Sequence, residues 1–131
     1  MGQQQLLLIV LGVIIVGIAV VVGINVFTAS SLQANNDAVI SDLTNIGSMA
    51  QQYYRKPTAM GGGGNSFVAF EISPRLVDNA NGNYVISLAG TGDAIEFEGT
   101  GTEVNGSGAD LLVRLRCTQD SIFVTYTNVN E

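Results

Sequence analysis

The stretch LLLIVLGVIIVGIAVVVGI, residues 6–24, decides the fold of the N-terminal part of this chain. Its 19 residues include no charged and no polar side chain. As a helix it is long enough to cross the ~30 Å hydrocarbon core of a bilayer. Strands rarely exceed about ten residues, and a lipid-exposed segment must satisfy its backbone hydrogen bonds internally. The stretch therefore predicts a helix, although it is rich in Ile and Val.

No basic residue flanks this apolar segment. Arg55 is the first Lys or Arg in the sequence, so the positive flank that normally orients a membrane helix is missing. A secretory signal peptide fits poorly, because such peptides have a basic start and an apolar core of about 7 to 15 residues. Two interpretations remain: the orienting charges were on a leader that is removed, or the bilayer is not the final environment of the segment.

Composition limits the rest of the chain to one small domain. Of the 131 residues, roughly one hundred lie beyond the apolar start. Five basic residues against 11 acidic ones give a net charge of -6, which argues against binding to nucleic acid or to anionic lipid headgroups. The sequence has no histidine, which excludes a Cys/His metal site, and the single Cys117 cannot form an internal disulfide.

An amphipathic pattern follows the apolar segment. Apolar residues spaced by threes, fours and sevens predict one helix stripe, formed by Leu32, Val39, Ile40, Leu43, Ile46, Ala50 and Tyr53. The opposite face is assigned Asn36, Asp37, Asp42, Asn45, Ser48 and Gln52. Arg55 and Lys56 suit the C-terminal end of a helix dipole, and Pro57 stops the helix. We therefore predict one helix over residues 2–56, and we expect Asp42→Ala on its far face to be nearly silent.

The hydrophobic period changes from about 3.6 to 2 after the glycine run Gly61–Gly64. Short alternating or apolar runs predict strands at Phe67–Ile72, Asn83–Leu88, Asp93–Glu98, Leu111–Arg116 and Ile122–Thr127. Turn-forming residues lie between most of these runs, at 79–83, 90–93, 105–108 and 118–121. Because connections this short force neighbouring strands to be antiparallel, the sequence predicts a meander of four or five strands.

The predicted fold class is α+β, with one long helix packed on the antiparallel meander. The helix stripe is expected to cover the apolar face of the sheet, which is assigned Tyr84, Ile86, Leu88, Ile95, Phe97, Leu111, Val113, Leu115, Ile122, Val124 and Tyr126. The predicted divisions are an apolar helix segment at 1–27, its amphipathic continuation at 28–56, a glycine-rich helix-to-sheet loop at 57–66 and a sheet head domain at 67–131.

This architecture resembles that of a type IV pilin, with the sequence part of the resemblance confined to residues 1 to about 27. The resemblance implies a short basic leader that a prepilin peptidase removes on the cytoplasmic side, with processing and N-methylation at Met1. It further implies that the chain leaves the inner membrane, with the help of pilus assembly machinery. Its partners are then copies of itself in a helical filament at the cell surface, and no nucleic acid binding is indicated.

The sequence departs from the pilin pattern at three places. Gln5, in the tract Gln3, Gln4, Gln5, stands where pilins usually have a glutamate thought to pair with a neighbouring amino terminus. Val22 stands near the position of a frequent proline, and Cys117 alone cannot form the C-terminal disulfide loop of many pilins. We expect the three glutamines to make N-terminal assembly contacts as uncharged hydrogen-bonding groups, which avoids an unpaired carboxylate in an apolar bundle.

Three glycines, Gly12, Gly17 and Gly23, interrupt the apolar segment. Each weakens a helix by about 1 kcal/mol relative to Ala, and their spacing is not that of a GxxxG helix pair. Many pilins lose helical structure over part of this region when they assemble. The resemblance therefore implies a kinked or extended stretch between about Gly12 and Gly23 in a filament.

Three further patterns have competing interpretations. Glu96 and Glu98 share one face of a predicted strand at roughly 7 Å, a spacing compatible with glycoside chemistry, but they alternate with apolar residues as solvent-facing positions do. The run Gly61–Gly64 lacks the Lys of a phosphate-binding loop, which favours a flexible connection. Asn105 begins an Asn-Gly-Ser glycosylation acceptor, yet Asn-Gly is also a strong hairpin turn. We predict no cofactor and no enzymatic activity.

Two classes of function fit these patterns. The first is a structural filament subunit, with a pseudopilin of a secretion system as a close relative. The second is a single-pass membrane-anchored module in the periplasm or at the cell surface, with a binding role. The amphipathic part follows the apolar part without a linker, and no recognisable binding motif lies in the C-terminal half, which favours the filament subunit.

Overall fold

A computed structural model describes residues 2–131, which divide into two compact units. The first unit ends at Ser31, and the second is Leu32–Glu131. Helix α1 runs over Gly2–Arg55, so its first part forms the first unit and its last part belongs to the second. The helix predicted over residues 2–56 is confirmed and ends one residue earlier than expected.

The second unit adds a single 3-10 turn at Thr58–Met60, a short helix α2 at Pro74–Val77 and one antiparallel sheet. The strands are β1 (Asp78–Asn79), β2 (Gly82–Leu88), β3 (Ala94–Val104), β4 (Asp110–Thr118) and β5 (Ile122–Thr127). Each strand pairs with the next along the chain, in the order β1-β2-β3-β4-β5. The predicted α+β meander is confirmed.

One predicted strand, Phe67–Ile72, does not form. The chain makes a turn at Val68 and Ala69, and Ala69 has a φ of 67°. Its aromatic residues pack against the end of α1 instead: the ring centroids of Tyr54 and Phe67 lie 4.8 Å apart. The sheet still has five strands, because Asp78 and Asn79 form the short strand β1. Two residues are too few to show a hydrophobic pattern in the sequence.

The last part of α1 covers the inner face of the sheet, as predicted. Its buried residues pack with buried side chains of β2, β3 and β4 in one cluster. The cluster is formed by Val39, Leu43, Ile46, Ala50, Tyr54, Phe67, Tyr84, Ile95, Phe97, Leu111, Val113, Leu115 and Cys117. Tyr54 closes the stripe in place of Tyr53, which is half-buried and donates its hydroxyl to the carbonyl of Val68 at 2.7 Å.

Two residues that the hydrophobic pattern assigned to the core point to the outer face of the sheet, because each follows a β-bulge. An extra residue in β2 places Leu88 opposite Glu96, where it is 49% exposed. An extra residue in β5 places Tyr126 opposite Arg114, with the guanidinium carbon 5.8 Å from the ring centroid. A bulge shifts the two-residue period of a strand by one, so every later side chain changes face. The core assignments of Leu88 and Tyr126 were therefore wrong.

Asp42 lies between the helix and the sheet and not on the far face of α1. Its Oδ2 accepts hydrogen bonds from the Tyr84 hydroxyl at 2.6 Å, from Asn81 Nδ2 at 2.9 Å and from Asn79 Nδ2 at 3.0 Å. The Tyr84 side chain is fully buried, Asn79 ends β1, and Asn81 lies in the turn between β1 and β2. The assignment of Asp42 to the far face is therefore wrong, and Asp42→Ala is now expected to destabilise the fold.

Electrostatics in this cluster keep Asp42 ionised. Burial raises the pKa of the Asp42 carboxyl, but the hydrogen bonds from Tyr84, Asn81 and Asn79 outweigh burial and hold that pKa below its usual 3.8. Burial, and then the hydrogen bond to Asp42 and its charge, raise the pKa of the Tyr84 hydroxyl well above its usual range. At neutral pH the carboxylate is thus a charged acceptor and the tyrosine is its donor.

Polar residues near the start of the second unit also face the sheet. Asn35 Oδ1 accepts hydrogen bonds from the backbone amides of Thr102 at 3.0 Å and Glu103 at 3.2 Å. Asn36 was assigned to the far face, but it is only 5% exposed and accepts a hydrogen bond from the Thr127 hydroxyl. The side chains of Asn35 and Asn36 thus satisfy backbone amides and a hydroxyl at one end of the sheet. At this end β3 loses its regular pairing with β4.

Deleting residues 1–27 is expected to leave a soluble monomer that keeps its sheet, because the buried core lies entirely within Leu32–Glu131. Far-UV circular dichroism with a cooperative thermal melt, and a monomeric elution volume, would support this. A matched deletion of residues 1–43 also removes Val39 and Leu43, and it should not fold. Aggregation or a non-cooperative melt of the shorter deletion would contradict the assignment of α1 as the cover of the sheet.

Candidate assembly surface

The apolar segment 6–24 exposes its side chains on every side of α1. Its Leu, Ile and Val residues are 52% to 69% exposed, and all residues from Gly2 to Ser30 are exposed. Monomeric soluble proteins rarely expose contiguous apolar patches of more than a few hundred Å². This surface therefore needs a cover that residues 2–131 of a single copy do not provide.

A bilayer is one such cover. By length and composition alone, α1 is long and apolar enough to cross a membrane. The 19 residues of the segment span about 28 Å at a rise of 1.5 Å per residue, which matches a hydrocarbon core of ~30 Å. Length and composition thus give α1 the capacity to associate with a membrane.

The glutamine tract occupies the first turn of α1. Gln3, Gln4 and Gln5 are exposed, and successive helix residues point about 100° apart, so the three amides point in three directions around the helix. Met1, where processing is predicted, lies outside the described residues. The role of the glutamines in assembly stays a prediction.

The glycines of the apolar segment are packed against nothing in a single copy. α1 is helical through Gly12, Gly17 and Gly23, and a Cβ atom at any of them would meet no atom within 4 Å. No contact in a single copy therefore accounts for their lack of a side chain. Their effect must come from helix weakening or from packing against another molecule.

We expect the backbone between about Gly12 and Gly23 to be kinked or extended in a filament, with regular helix on both sides. In lipid the helix should stay continuous, because each unmade backbone hydrogen bond there costs several kcal/mol. A filament density map at side-chain resolution is the measurement. A straight, fully hydrogen-bonded helix through all three glycines would contradict the prediction and leave close helix packing as their role.

The glycine run folds back over the C-terminal end of α1. Three backbone amides donate to carbonyl oxygens there: Gly63 to Tyr53 at 2.8 Å, Gly64 to Lys56 at 2.9 Å and Asn65 to Tyr54 at 2.7 Å. Gly64 has a φ of 58°, and a Cβ on Gly63 would overlap the carbonyl oxygen of Ser66. The run thus satisfies carbonyls that a helix end leaves free, and it caps α1 as well as connecting it to the rest of the second unit.

Glu96 and Glu98 take part in cross-strand pairs on the outer face of the sheet. Glu98 Oε2 accepts a hydrogen bond from Arg114 Nε at 2.7 Å, and this bond, together with the glutamate charge, raises the pKa of Arg114. Glu96 Oε1 accepts a hydrogen bond from the Ser87 hydroxyl at 3.1 Å. These contacts favour the interpretation of the two carboxylates as solvent-facing strand residues.

Cys117 lies in the core, on β4. It is fully buried, its Sγ donates to the carbonyl of Gly47 on α1 at 3.4 Å, and burial raises the pKa of the thiol to about 11. The thiol is therefore protonated at neutral pH and behaves as a small packing residue. Within residues 2–131, no three His, Cys, Asp or Glu side chains cluster as a metal ion would require.

Asn105 orders the turn between β3 and β4. It is 5% exposed, its Oδ1 accepts from the backbone amides of Ser107 and Ala109, and its Nδ2 donates to the carbonyl of Asn128 at 3.2 Å. Nδ2 is the atom to which a glycan would be attached, so glycosylation would have to break this contact. The contacts favour the turn interpretation of the Asn-Gly-Ser sequence.

No protein family, curated protein or solved structure matches this chain. The structure itself has a long N-terminal helix, apolar in its first part, with its last part packed on a five-stranded antiparallel sheet. This arrangement is compatible with that of a pilin. It was predicted from the hydrophobic pattern, whereas Asp42, Asn35 and Asn36 gave no sequence signal of their contacts with the sheet.

Proposed function

We propose that this chain is the structural subunit of an extracellular type IV pilus-like filament, assembled by bundling of the apolar parts of α1 from many copies. The observation that carries the proposal is the exposure of segment 6–24 on all sides. An apolar stripe on one side would suit a dimer or a membrane surface. Apolar surface all round needs cover all round, from lipid before assembly and from other copies after it.

The absence of charge supports burial of this segment in a bundle. No residue from Gly2 to Asn36 carries a charged side chain, and Asp37 is the first that does. Copies can therefore pack these parts together without burying an unpaired charge, which would cost several kcal/mol. Gly12, Gly17, Ala19 and Gly23 also allow close approach, which matters because helix association from lipid depends on packing and not on the hydrophobic effect.

In this proposal the protein is a building element and not an enzyme. The leader peptidase and the assembly machinery implied by the resemblance act on the chain, which starts in the inner membrane and ends at the cell surface. Copies of the same chain are its principal partners. The second unit, with its own core and all the charged side chains, forms the part that faces water.

Protein sheared from cell surfaces tests the proposal directly. We expect filaments under the electron microscope and an intact mass and N-terminal sequence that begin at Met1, with N-methylation and no leader. Recovery only in the detergent-extracted membrane fraction would contradict the proposal and favour an anchored module. Short, scarce filaments that appear only with secretion activity would favour a pseudopilin.

The variant Val16→Lys separates the filament from the anchor. A lysine at the centre of a membrane helix costs about 2.5 to 3.5 kcal/mol, which the remaining Leu, Ile and Val residues, at about -0.3 to -0.6 kcal/mol each, offset. The amount of the variant in membranes should thus stay the same. The yield of sheared filaments should fall at least tenfold, because a bundle of copies would bury many such charges. Val16→Leu is the matched control and should leave both fractions unchanged. Normal filament yield from Val16→Lys would contradict helix bundling.

A further inference from the structure

Two edges of the sheet have backbone groups without a strand partner. β1 pairs only with Asn83 and Gly82, so the part of β2 from Tyr84 to Leu88 has no strand on that side within the described residues. β5 is the last strand at the opposite edge. In an antiparallel ladder about every second residue of an edge strand directs its N–H and C=O groups away from its neighbour, towards any strand that arrives there.

Both open edges lack the charges and prolines that often block such an arrival, and each has a single β-bulge, at Ser87 and at Thr125. Neither Tyr84–Leu88 nor Ile122–Thr127 contains a charge, a proline or a glycine. The charges of the outer face lie on the two central strands instead, at Glu96, Glu98, Arg114 and Arg116. Soluble proteins usually place charges or proline on the edges. The reversed distribution leaves both edges without charge repulsion against an incoming strand.

The edge at β2 also has a shallow groove beside it. The groove lies between the chain around α2 and β2, and all its lining residues but Glu71 are uncharged: Ile72, Val77, Tyr84, Val85 and Ile86. At the other edge Phe123 is 47% exposed, on the same face of the sheet as Val85, which is 45% exposed. Each edge therefore has one exposed apolar side chain on the outer face of the sheet, and pairing of the two edges would bring these side chains together.

Strand direction decides how two copies could use these edges. The strands alternate in direction from β2 to β5, so β2 and β5 run antiparallel to each other. Two copies in the same orientation, placed side by side, therefore present β5 of one antiparallel to β2 of the next. Because this contact joins two different surfaces, each pair still has one free β2 edge and one free β5 edge, and the contact can repeat without limit.

We propose that β5 of one copy pairs with the open part of β2 of the next copy, with Phe123 beside Val85 on the outer face of the joined sheet. Pairing covers the regular part of β5, Ile122–Val124, and stops at the bulge formed by Thr125. The inference rests on the proposed function, since a filament is what holds many copies side by side in one orientation. It adds a specific interface between second units to the bundling of apolar helices.

Cysteine cross-linking in assembled filaments tests the pairing, because the native Cys117 is buried and cannot compete. The full chain with both Val85→Cys and Phe123→Cys, oxidised after shearing, should give a ladder of dimers, trimers and longer species on a non-reducing gel. Each single variant should stay monomeric, and filaments assembled from a mixture of the two single variants should give dimers only. Dimers from Phe123→Cys alone would show a two-fold contact between β5 strands and would overturn the proposal.

A charge at the edge gives an independent readout. Phe123→Lys should lower the yield of sheared filaments at least tenfold without lowering the amount of full-length chain in membranes. Val104→Lys, at an equally exposed position on the central strand β3, is the control and should assemble normally. Strand pairing is refuted if Phe123→Lys forms filaments in normal yield. It is also refuted if the double cysteine variant forms filaments that give no ladder. Either result leaves the proposed function standing. If the unaltered chain gives no filaments, the proposed function fails and this inference with it.

Discussion

Replacing Ile46 with Asp is expected to abolish the fold of the second unit. Ile46 is 1% exposed and lies in the core cluster between α1 and the sheet. A buried carboxylate without a partner costs several kcal/mol, against a total stability of about 5 to 15 kcal/mol for a domain of this size. The full chain in detergent should lose its cooperative melt by circular dichroism and become sensitive to protease.

Two matched variants separate this effect from the introduction of charge itself. Asn45→Asp adds the same charge at the adjacent, exposed position and should melt as the unaltered chain does. Ile46→Val removes one methylene group from the core and should cost only about 0.5 to 1.5 kcal/mol. A folded Ile46→Asp chain would show that the helix is not seated on the sheet as the structure has it.

Replacing Asp42 with Ala is expected to lower the free energy of unfolding by about 2 to 4 kcal/mol at pH 7. A hydrogen bond to a charged group contributes about 1.5 to 3 kcal/mol, and the substitution also leaves the buried Tyr84 hydroxyl without its acceptor. Denaturant unfolding of the chain in detergent measures the loss. The control is Asp37→Ala, an exposed carboxylate whose one contact is with Gln33 on the same helix.

The loss caused by Asp42→Ala should depend on pH in a defined direction. The pKa of Asp42 is lowered in the folded chain, so its contribution is present above the unfolded pKa of about 3.8 and is lost as pH falls through the folded pKa. The difference between the variant and the unaltered chain should therefore be largest near pH 7 and shrink below about pH 4. A difference that stays constant down to pH 2 would mean that volume, and not charge, explains the effect.

The hydrophobic period and the length of each apolar run made most of the fold predictable from the sequence. Residues 6–24 and the stripe that follows predict α1, and alternating runs predict β2, β4 and β5 within two residues at each end. β3 continues six residues beyond its predicted end at Glu98. The strand prediction at Phe67–Ile72 was wrong because the aromatic side chains of this segment pack on Tyr53 and Tyr54 across a turn. Alternation of apolar residues alone cannot distinguish such a turn from a strand.

The errors at Asp42, Leu88 and Tyr126 have two physical origins. Asp42 binds residues about 40 positions further along the chain, and a helix pattern contains no information about such partners. Leu88 and Tyr126 follow single extra residues that shift the strand period, and nothing in the local sequence marks those residues. The candidate assembly surface was predictable from the length and composition of residues 6–24, because the small remaining domain has no second apolar face to cover them, whereas the open edges became visible only with the strand order.

The contacts of α1 with the two sides of the sheet have a mechanical consequence. Asp42 holds the helix to Tyr84 and the β1–β2 turn on one side, while Asn36 holds it to Thr127 on the other. Further along the helix, Gln51 donates to the carbonyl of Thr118, so the contacts are spread along the whole seated length. Tension applied along α1 would load these bonds together in shear instead of one after another. In the proposed filament, a pull along α1 would therefore have to break several of these bonds at once before the helix slides off its sheet.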